Sequence, residues 1–262
     1  MTLDVMLVTT AARVPRMCPL PVVPRVRYIV CIQDPDFGLN PLSLQPLQRP
    51  DIDVRIYQDR GVSANRNHAL KAATADVLMV GDDDLIYHPE GLEALLGFFE
   101  NNPRIDWVTT HAEVDSSRVY PPDGWNHART FRFYAPITFE MAFRRTSLPP
   151  GLRFSTLAGI GAPYLGAGEE DLFYHHLRKA GLRGQFVDLK VVSHPHPSTD
   201  IHSASNPRFV RAKGALMWVM RGPAGALIRL PLEAKRSELP FFNAFRELFK
   251  GMMYAAKNRR YL

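Results

Sequence analysis

The chain is poor in cysteine. Only Cys18 and Cys31 occur among its 262 residues, and their spacing is not that of a metal-binding motif. Two cysteines cannot form the multiple bridges of a disulfide-stapled domain. The fold must therefore rest on a hydrophobic core, and a hydrophobic content of 46% is ordinary for a globular protein.

Long apolar runs are also absent. No stretch approaches the roughly 20 apolar residues that a membrane-spanning helix needs. Residues 1–8 have neither the basic region nor the cleavage site of a signal peptide, so we expect them to form the first core strand. No internal repeat and no low-complexity segment is present. From these absences we expect a cytoplasmic location.

Acidic residues are scarce in the C-terminal part of the chain. The net charge is +6, yet residues 208–262 contain twelve Lys and Arg against three Glu, a surplus of nine. Residues 1–207 are therefore slightly acidic. The surplus indicates an anionic partner, which could be nucleotide phosphates, nucleic acid or acidic lipid. A nucleic-acid-binding protein would carry basic and aromatic residues across its body, so we expect no nucleic-acid partner.

The first two hundred residues alternate between short apolar runs and helical patterns. Such alternation predicts an α/β fold with a mostly parallel, doubly wound central sheet flanked by helices, here assigned to a domain at residues 1–205. The predicted strands are residues 3–9, 26–32, 52–57, 77–80, 105–110, 138–144 and 186–193. The predicted helices are residues 64–73, with Ser63 as the N-cap, 89–100 and 169–179.

Residues 206–262 are predicted to form a basic, amphipathic helical extension. Its last segment repeats apolar residues at helical spacing in one stripe, made of Phe241, Phe242, Phe245, Leu248, Phe249, Met252, Met253 and Ala256. A helix of this kind either packs against its own domain or contacts an anionic membrane surface or a partner. The sequence leaves both readings open.

The most informative motif is Asp82-Asp83-Asp84, which follows the apolar run at residues 77–80. The carboxyl end of a strand in an α/β sheet is where ligands bind. If the backbone stays extended, Asp82 and Asp84 point to one side and Asp83 to the other. Converging carboxylates suit Mg²⁺ or Mn²⁺ shared with phosphate oxygens. The alternative is a solvated acidic loop.

A second motif precedes the aspartates by about fifteen residues. If Ser63 caps the helix at residues 64–73, the free N–H groups of its first turn favour a phosphate. Arg66 could then reach a diphosphate or a base carbonyl with its planar fork of donors. A surface helix with a solvated Arg66 is the alternative.

Taken in order, these segments resemble the family 2 glycosyltransferases of the GT-A fold, which are inverting and use nucleotide sugars. The resemblance covers approximately residues 3–200 and rests on three motifs. These are Gly61-x-Ser63-x-x-Arg66-Asn67-x-Ala69-Leu70, the aspartates at 82–84, and Gly166-Ala167-Gly168-Glu169-Glu170-Asp171 with its following helix and Gly181. The loops after the first two strands depart from the family pattern, which weakens the carry-over for contacts to the nucleotide base.

The resemblance implies roles at the donor end. Asp82 and Asp84 would hold the metal and the ribose and diphosphate of a UDP- or GDP-sugar, with Asp83 beside them as a supporting residue of the nucleotide site. Asp34, at the end of the second strand, would contact the base, and Arg66 would help to hold the nucleotide.

The remaining implied roles concern the base and the metal shell. Glu170 or Asp171 would remove the proton from the acceptor hydroxyl, with Asp171 favoured by residue type and Glu170 by the count back from Gly181. His194 or His196, after the last strand, would complete the metal shell, although either histidine could be purely structural.

The resemblance thus leads us to expect a metal-dependent glycosyltransferase that builds a surface polysaccharide or lipopolysaccharide. The acceptor would be a glycan or a lipid-linked glycan, used at the inner face of the membrane. Two alternatives remain. A sugar nucleotidyltransferase would need a glycine-rich loop after the first strand, which residues 9–13 lack. A non-enzymatic nucleic-acid-binding protein would bind nucleic acid without turning over a nucleotide sugar.

Overall fold

The computed structural model of the chain describes residues 1–114, 118–130, 134–194, 205–259 and 262. Its strands are β1 (Leu3–Thr10), β2 (Val26–Gln33), β3 (Ile52–Tyr57), β4 (Val77–Asp82), β5 (Ile86–Tyr87), β6 (Trp107–Glu113), β7 (Met141–Arg144) and β8 (Gly184–Ser193). Its helices are α1 (Val62–Ala72), α2 (Pro89–Asn101), α3 (Glu169–Lys179), α4 (Pro207–Lys235) and α5 (Phe241–Lys257).

The chain divides into two compact units. The first comprises Met1–Arg60, Asn65–Arg153 and His176–Pro197, and the second comprises Gly61–Ala64, Phe154–His175 and Ser198–Leu262. The first unit contains the whole sheet, and the second contains α4, α5 and the start of α3. The predicted boundary at residue 205 stays a prediction.

The first unit is built on an eight-stranded sheet in the order β3-β2-β1-β4-β7-β6-β8-β5. Strands β3, β2, β1 and β4 are mutually parallel, as are β6 and β8, whereas β7 and β5 run antiparallel to their neighbours. The predicted mostly parallel α/β fold is confirmed. Because the parallel strands share one direction, the residues after β1, β2 and β4 meet at one edge of the sheet.

Strand β4 is buried because it lies in the middle of this sheet. Val77, Met79 and Val80 are at most 1% exposed, in keeping with an apolar run covered on both faces. Gly81 continues the strand where the Tyr87 side chain crosses it, so a Cβ at that position would collide with the phenol oxygen. The Tyr87 hydroxyl donates to the Asp82 carbonyl at 3.2 Å, which ties the end of β4 to β5.

The predicted strand at residues 138–144 is only partly correct. Residues Thr138–Glu140 form a turn of 3-10 helix, and the strand begins at Met141. Glu140 is fully buried, and its carboxylate accepts from Arg118 at 2.8 Å and from the Ile137 N–H at 3.0 Å. These contacts accompany the 3-10 turn before β7. The apolar pattern therefore predicted a strand that begins three residues too early.

The second unit confirms a helical C-terminal part. Helix α4 is kinked at Gly222, whose φ of +71° is a left-handed conformation that favours glycine. Helix α5 packs against α4 through small residues, since Gly214 and Gly251 allow the two backbones to approach closely. Within the residues that the structure describes, neither helix nor any other is long and apolar enough to cross a bilayer.

Candidate active site

The aspartate motif spans the end of β4 and the turn after it. Asp82 is the last residue of β4, and Asp83 and Asp84 lie in the turn. The prediction that extended backbone separates Asp83 from its neighbours is therefore wrong. Arg13 contacts both Asp83 and Asp84, because the turn brings their carboxylates to one side.

Arg13 is the main partner of this turn. Its Nε lies 2.8 Å from Asp83 Oδ2, and its Nη2 lies 2.5 Å from Asp83 Oδ1 and 2.8 Å from Asp84 Oδ2. The Thr9 hydroxyl also donates to Asp83. Asp83 is 5% exposed, so its charge is compensated by these donors and not by water. The hydrogen bonds from Arg13 and Thr9 to Asp83 therefore hold the turn after β4 in place.

Arg66 approaches Asp82 from α1. The side chain of Arg66 is buried, and its Nη2 lies 3.2 Å from Asp82 Oδ1. Burial raises the pKa of Asp82, the positive charge of Arg66 opposes that rise, and the charge of Asp84 adds to it. The neighbouring Asn65 amide donates to the carbonyls of Thr9 and Cys31 at 3.1 and 2.9 Å. These two bonds fix this part of α1 to β1 and β2 and aim Arg66 at Asp82.

His194 brings a ring nitrogen to the carboxylate of Asp84. It follows β8 directly, its backbone N–H donates to the Glu113 carbonyl at 2.9 Å, and its ring stacks on Phe139. Its Nε2 lies 3.5 Å from Asp84 Oδ1, and the His194 side chain is 14% exposed. His196, the other predicted metal ligand, lies outside the described residues.

Asp84 and His194 fit a divalent cation that is shared with a substrate. One carboxylate and one imidazole are suitable donors for Mn²⁺, and Mg²⁺ commonly takes one or two carboxylates plus substrate phosphates. Among the residues that can be described, no group of three or more His, Cys, Asp or Glu could hold a metal by itself.

Asp34 occupies the predicted position after β2, but its carboxylate is directed to its own loop. Oδ1 accepts from the Gly38 N–H at 2.8 Å and Oδ2 from the Leu39 N–H at 3.2 Å. The structure brings Asp82, Asp84, Arg66 and His194 together. Asp34 instead stabilises its own loop, and its contact to a nucleotide base stays a prediction.

Sequence reasoning missed a polar cluster at the ends of β2 and β3. The rings of Tyr57 and His68 stack with centroids 3.7 Å apart. Asp59 accepts from Gln33 Nε2 at 3.0 Å and lies 2.7 Å from His68 Nε2. It missed Arg13 as well, which falls in a loop whose sequence departs from the family pattern. Arg13, Gln33, Tyr57 and Asp59 share one signal, which is a polar side chain at or within three residues of the carboxyl end of a parallel strand.

In the second unit, Ser63 does not cap α1. The helix already begins at Val62, and the Ser63 hydroxyl donates to the Ala158 carbonyl at 2.8 Å. The Val62 N–H donates to the Ile160 carbonyl at 3.0 Å. The predicted cap is wrong because both groups fasten this turn to the loop at residues 158–161. The Val62 N–H, at the true start of α1, is consequently already used and does not point to a phosphate.

The acidic motif opens α3, as the sequence predicts. Glu169 is buried at the first helical position, and Glu170 and Asp171 are half-buried. Burial raises the pKa of Asp171 to about 6, and the charge of Glu169 adds to the rise. A carboxyl with such a pKa is ionised near neutral pH and still basic enough to accept a proton in catalysis.

Comparison with known proteins bears on the family and the fold of the chain. The family model "Glycosyl transferase family 2" matches residues 43–157, which include Arg66 and the aspartate turn. The chain is a glycosyltransferase, and its residues 43–157 are similar to family 2. No curated protein sequence matches it. The GT-A fold of this glycosyltransferase is confirmed by its likeness to solved enzymes of the same fold.

Two solved proteins illustrate the likeness. S. aureus TarS (residues 1–349) is 13% identical, and the match covers 98% of the glycosyltransferase and 73% of the TarS chain with a TM-score of 0.57. In its complex with UDP-GlcNAc the TM-score is 0.60, over 99% and 92% of the two chains. Glucosyl-3-phosphoglycerate synthase from Mycobacterium tuberculosis, solved with Mn²⁺, UDP and glucosyl-3-phosphoglycerate, is 18% identical with a TM-score of 0.51, covering 84% and 80%. At these identities the likeness concerns the fold.

Proposed function

We propose that this glycosyltransferase is metal-dependent and inverting and that it uses a UDP- or GDP-sugar as donor. The observation that carries the proposal is the convergence of Asp82, Asp84, Arg66 and His194 at the carboxyl end of β4. Two structurally similar enzymes support it, since one was solved with UDP-GlcNAc and the other with Mn²⁺ and UDP.

At the donor end, Asp84 and His194 would hold Mn²⁺ or Mg²⁺. When bound, the cation supplies positive charge that stabilises the departing nucleoside diphosphate. Asp82 would accept hydrogen bonds from the ribose, and Arg66 holds Asp82 in place from α1. Asp83, with its buried charge held by Arg13 and Thr9, would keep the turn in shape.

At the acceptor end, Asp171 would be the general base. With its pKa raised to about 6, Asp171 would be ionised near neutral pH and still basic enough to accept a proton. The base removes the proton of the acceptor hydroxyl, whose oxygen attacks the anomeric carbon. The bond from that carbon to the diphosphate oxygen breaks, and the nucleoside diphosphate leaves from the opposite side, which inverts the configuration. Glu170 is the second candidate for this role.

The acceptor would be a glycan or a lipid-linked glycan of a surface polysaccharide or lipopolysaccharide. A cytoplasmic enzyme at the inner face of the membrane could reach such an acceptor. The supporting observation is the basic surplus of residues 208–262, which suits an anionic surface.

Donor hydrolysis across a panel of nucleotide sugars, with Mn²⁺, Mg²⁺ or excess chelator, tests the proposal. We expect turnover of one donor in the presence of metal, with release of the nucleoside diphosphate and loss of activity in chelator. Full activity in chelator would contradict the metal assignment. Release of pyrophosphate would indicate a nucleotidyltransferase, and nucleic-acid binding without turnover would contradict an enzymatic role.

A further inference from the structure

Helix α5 has more apolar surface than its packing against α4 uses. The face toward α4 is made of small and aliphatic residues and is buried, as Ala244, Leu248, Met252 and Ala255 show with at most 1% exposure. The predicted apolar stripe is therefore divided. Leu248 and Met252 belong to the buried face, whereas most of the phenylalanines lie outside it.

The exposed apolar face of α5 consists of Phe242, Phe245, Phe249 and Met253, which we call the aromatic face. Its members follow the spacing i, i+3, i+7 and i+11 and thus form one stripe on the helix. Phe242 is 82% exposed, and the other three are between 37% and 43% exposed. The second half of α4 likewise exposes Ile228 at 79%. Exposed phenylalanines in a row are unusual on a monomeric surface and indicate an interaction site.

Positive charge borders the aromatic face on one side. Arg246, Lys250 and Lys257 repeat at i, i+4 and i+11 and lie next to the stripe of Phe242 and Met253. The single acidic residue of α5, Glu247, is buried on another side of the helix. Its carboxylate accepts from Arg211 at 2.6 Å and from Lys250 at 2.7 Å. The exposed side of α5 therefore presents apolar and basic groups without an acidic one.

We propose that the aromatic face and its basic border bind the surface of an anionic lipid bilayer. Phenylalanines at the boundary of the acyl chains with cationic side chains toward the headgroups are the arrangement of an interfacial helix. A second copy of the chain is disfavoured as the partner. A symmetric contact would place Arg246, Lys250 and Lys257 of both copies in one interface, with no exposed acidic residue of α5 to pair with them.

The proposal rests on the exposed residues of α5 and does not depend on the chemistry proposed above. Point variants test it better than removal of the helix. Deleting α5 would uncover Val210 and Met217 of α4, which pack against Leu248 and Met252, and would damage the second unit itself.

The test measures binding of the full chain to vesicles of phosphatidylcholine with and without phosphatidylglycerol, at low and high salt. We expect binding only to the anionic vesicles and its loss at high salt. The double variant Phe242→Ser, Phe249→Ser should bind at least about tenfold more weakly. Arg246→Gln and Lys257→Gln should each weaken binding roughly fivefold. The matched control is Val22→Ser, Leu42→Ser, two exposed apolar residues of the first unit, which should bind like the original chain.

Three results would overturn the proposal. The first is equal binding to neutral and anionic vesicles, and the second is unchanged binding of the phenylalanine variant. The third is self-association of the free protein that this variant abolishes, because the aromatic face would then be a dimer interface. Donor hydrolysis in solution separates this proposal from the catalytic one. The phenylalanine variant should retain it in full, and an inactive enzyme that still binds vesicles would refute only the catalytic proposal.

Discussion

Arg13 Nη2 lies 2.8 Å from Asp84 Oδ2, on the carboxylate whose other oxygen faces His194 Nε2 at 3.5 Å. The same guanidinium holds both oxygens of Asp83. Arg13 thus already compensates part of the charge of Asp84 from one of its two oxygens. A cation bound there must share Asp84 with Arg13 or displace its Nη2.

The first prediction concerns Arg13→Gln. The variant leaves the buried Asp83 without its main donor, so we expect the free energy of unfolding to fall by about 1–3 kcal/mol without metal. Mn²⁺ should bind more tightly because the competing charge is gone, and so it should raise the melting temperature more than in the original chain. Thermal melts with and without Mn²⁺ measure both effects.

The control for this experiment is Arg60→Gln. Arg60 pairs at 2.6 Å with Asp36, but both side chains are more than 60% exposed, and such pairs contribute little. This variant should melt like the original chain. An Arg13→Gln protein that is equally stable without metal, or gains less from Mn²⁺, would contradict the competition.

The second prediction distinguishes the contributions of Asp84, His194 and His196 to metal binding. Asp84→Ala should abolish metal-dependent turnover and Mn²⁺ binding. His194→Ala should weaken Mn²⁺ binding about tenfold or more, as expected for loss of a ligand. Titration of Mn²⁺ by electron paramagnetic resonance gives the affinities directly. His196→Ala, measured in parallel, decides between the two candidates, and His194 is excluded as a ligand if its removal leaves the affinity unchanged.

The third prediction concerns Arg66. Arg66→Ala should weaken binding of the nucleoside diphosphate at least about tenfold, because Asp82 loses the charge that orients it and opposes its protonation. Arg66→Lys should restore part of the affinity, since it keeps the charge and loses the planar fork. Calorimetric titration measures both, with Lys71→Ala on the exposed side of α1 as control. Equal affinities of the alanine and lysine variants would argue against a charge-based role.

The fourth prediction is a pH dependence carried by Asp171. Its pKa rises from an ordinary 3.8 to about 6 in the folded chain, so the general base is protonated at low pH. We expect kcat/KM to fall below about pH 6 and to be reduced about 10²–10⁴-fold in Asp171→Asn. Glu170→Gln should retain both the rate and the acid limb. If the acid limb follows Glu170 instead, the base is Glu170.

The same shift predicts a change in stability. A carboxyl whose folded pKa lies above its unfolded pKa binds its proton more tightly in the fold, so its contribution to stability is lost as pH rises from about 4 through 6. Above about pH 7, Asp171→Asn should therefore be more stable than the original chain by up to roughly 2–3 kcal/mol, and near pH 4 about equal to it. Denaturant unfolding at both pH values measures this. A variant that is less stable above pH 7 would show that the ionised carboxylate stabilises the fold.

Much of the first unit could be predicted from the sequence because its signals are local. An apolar run followed by Gly81 and aspartates marks the end of a strand, and Pro89 marks the first position of a helix. Arg13 could not be placed in this way. It lies 70 residues before Asp83, and the two meet only because β1 pairs with β4 in the register that aligns Val8 with Asp82.

For Ser63, the local sequence predicted a contact that the structure does not contain. Serine before a helical pattern is a typical N-cap, so local chemistry predicts a cap. The partner of its hydroxyl is instead the Ala158 carbonyl, 95 residues away, and no local pattern contains that contact.

The sequence by itself determined the alternation of strands and helices, the order of the three motifs and the amphipathic character of the last helix, because each depends on neighbouring residues and backbone periodicity. Only the tertiary structure decided which donors hold Asp83, that burial raises the pKa of Asp171 in the first turn of α3, and which half of the apolar stripe of α5 is buried. These properties depend on packing between distant segments, which burial and pairing create and which periodicity cannot encode.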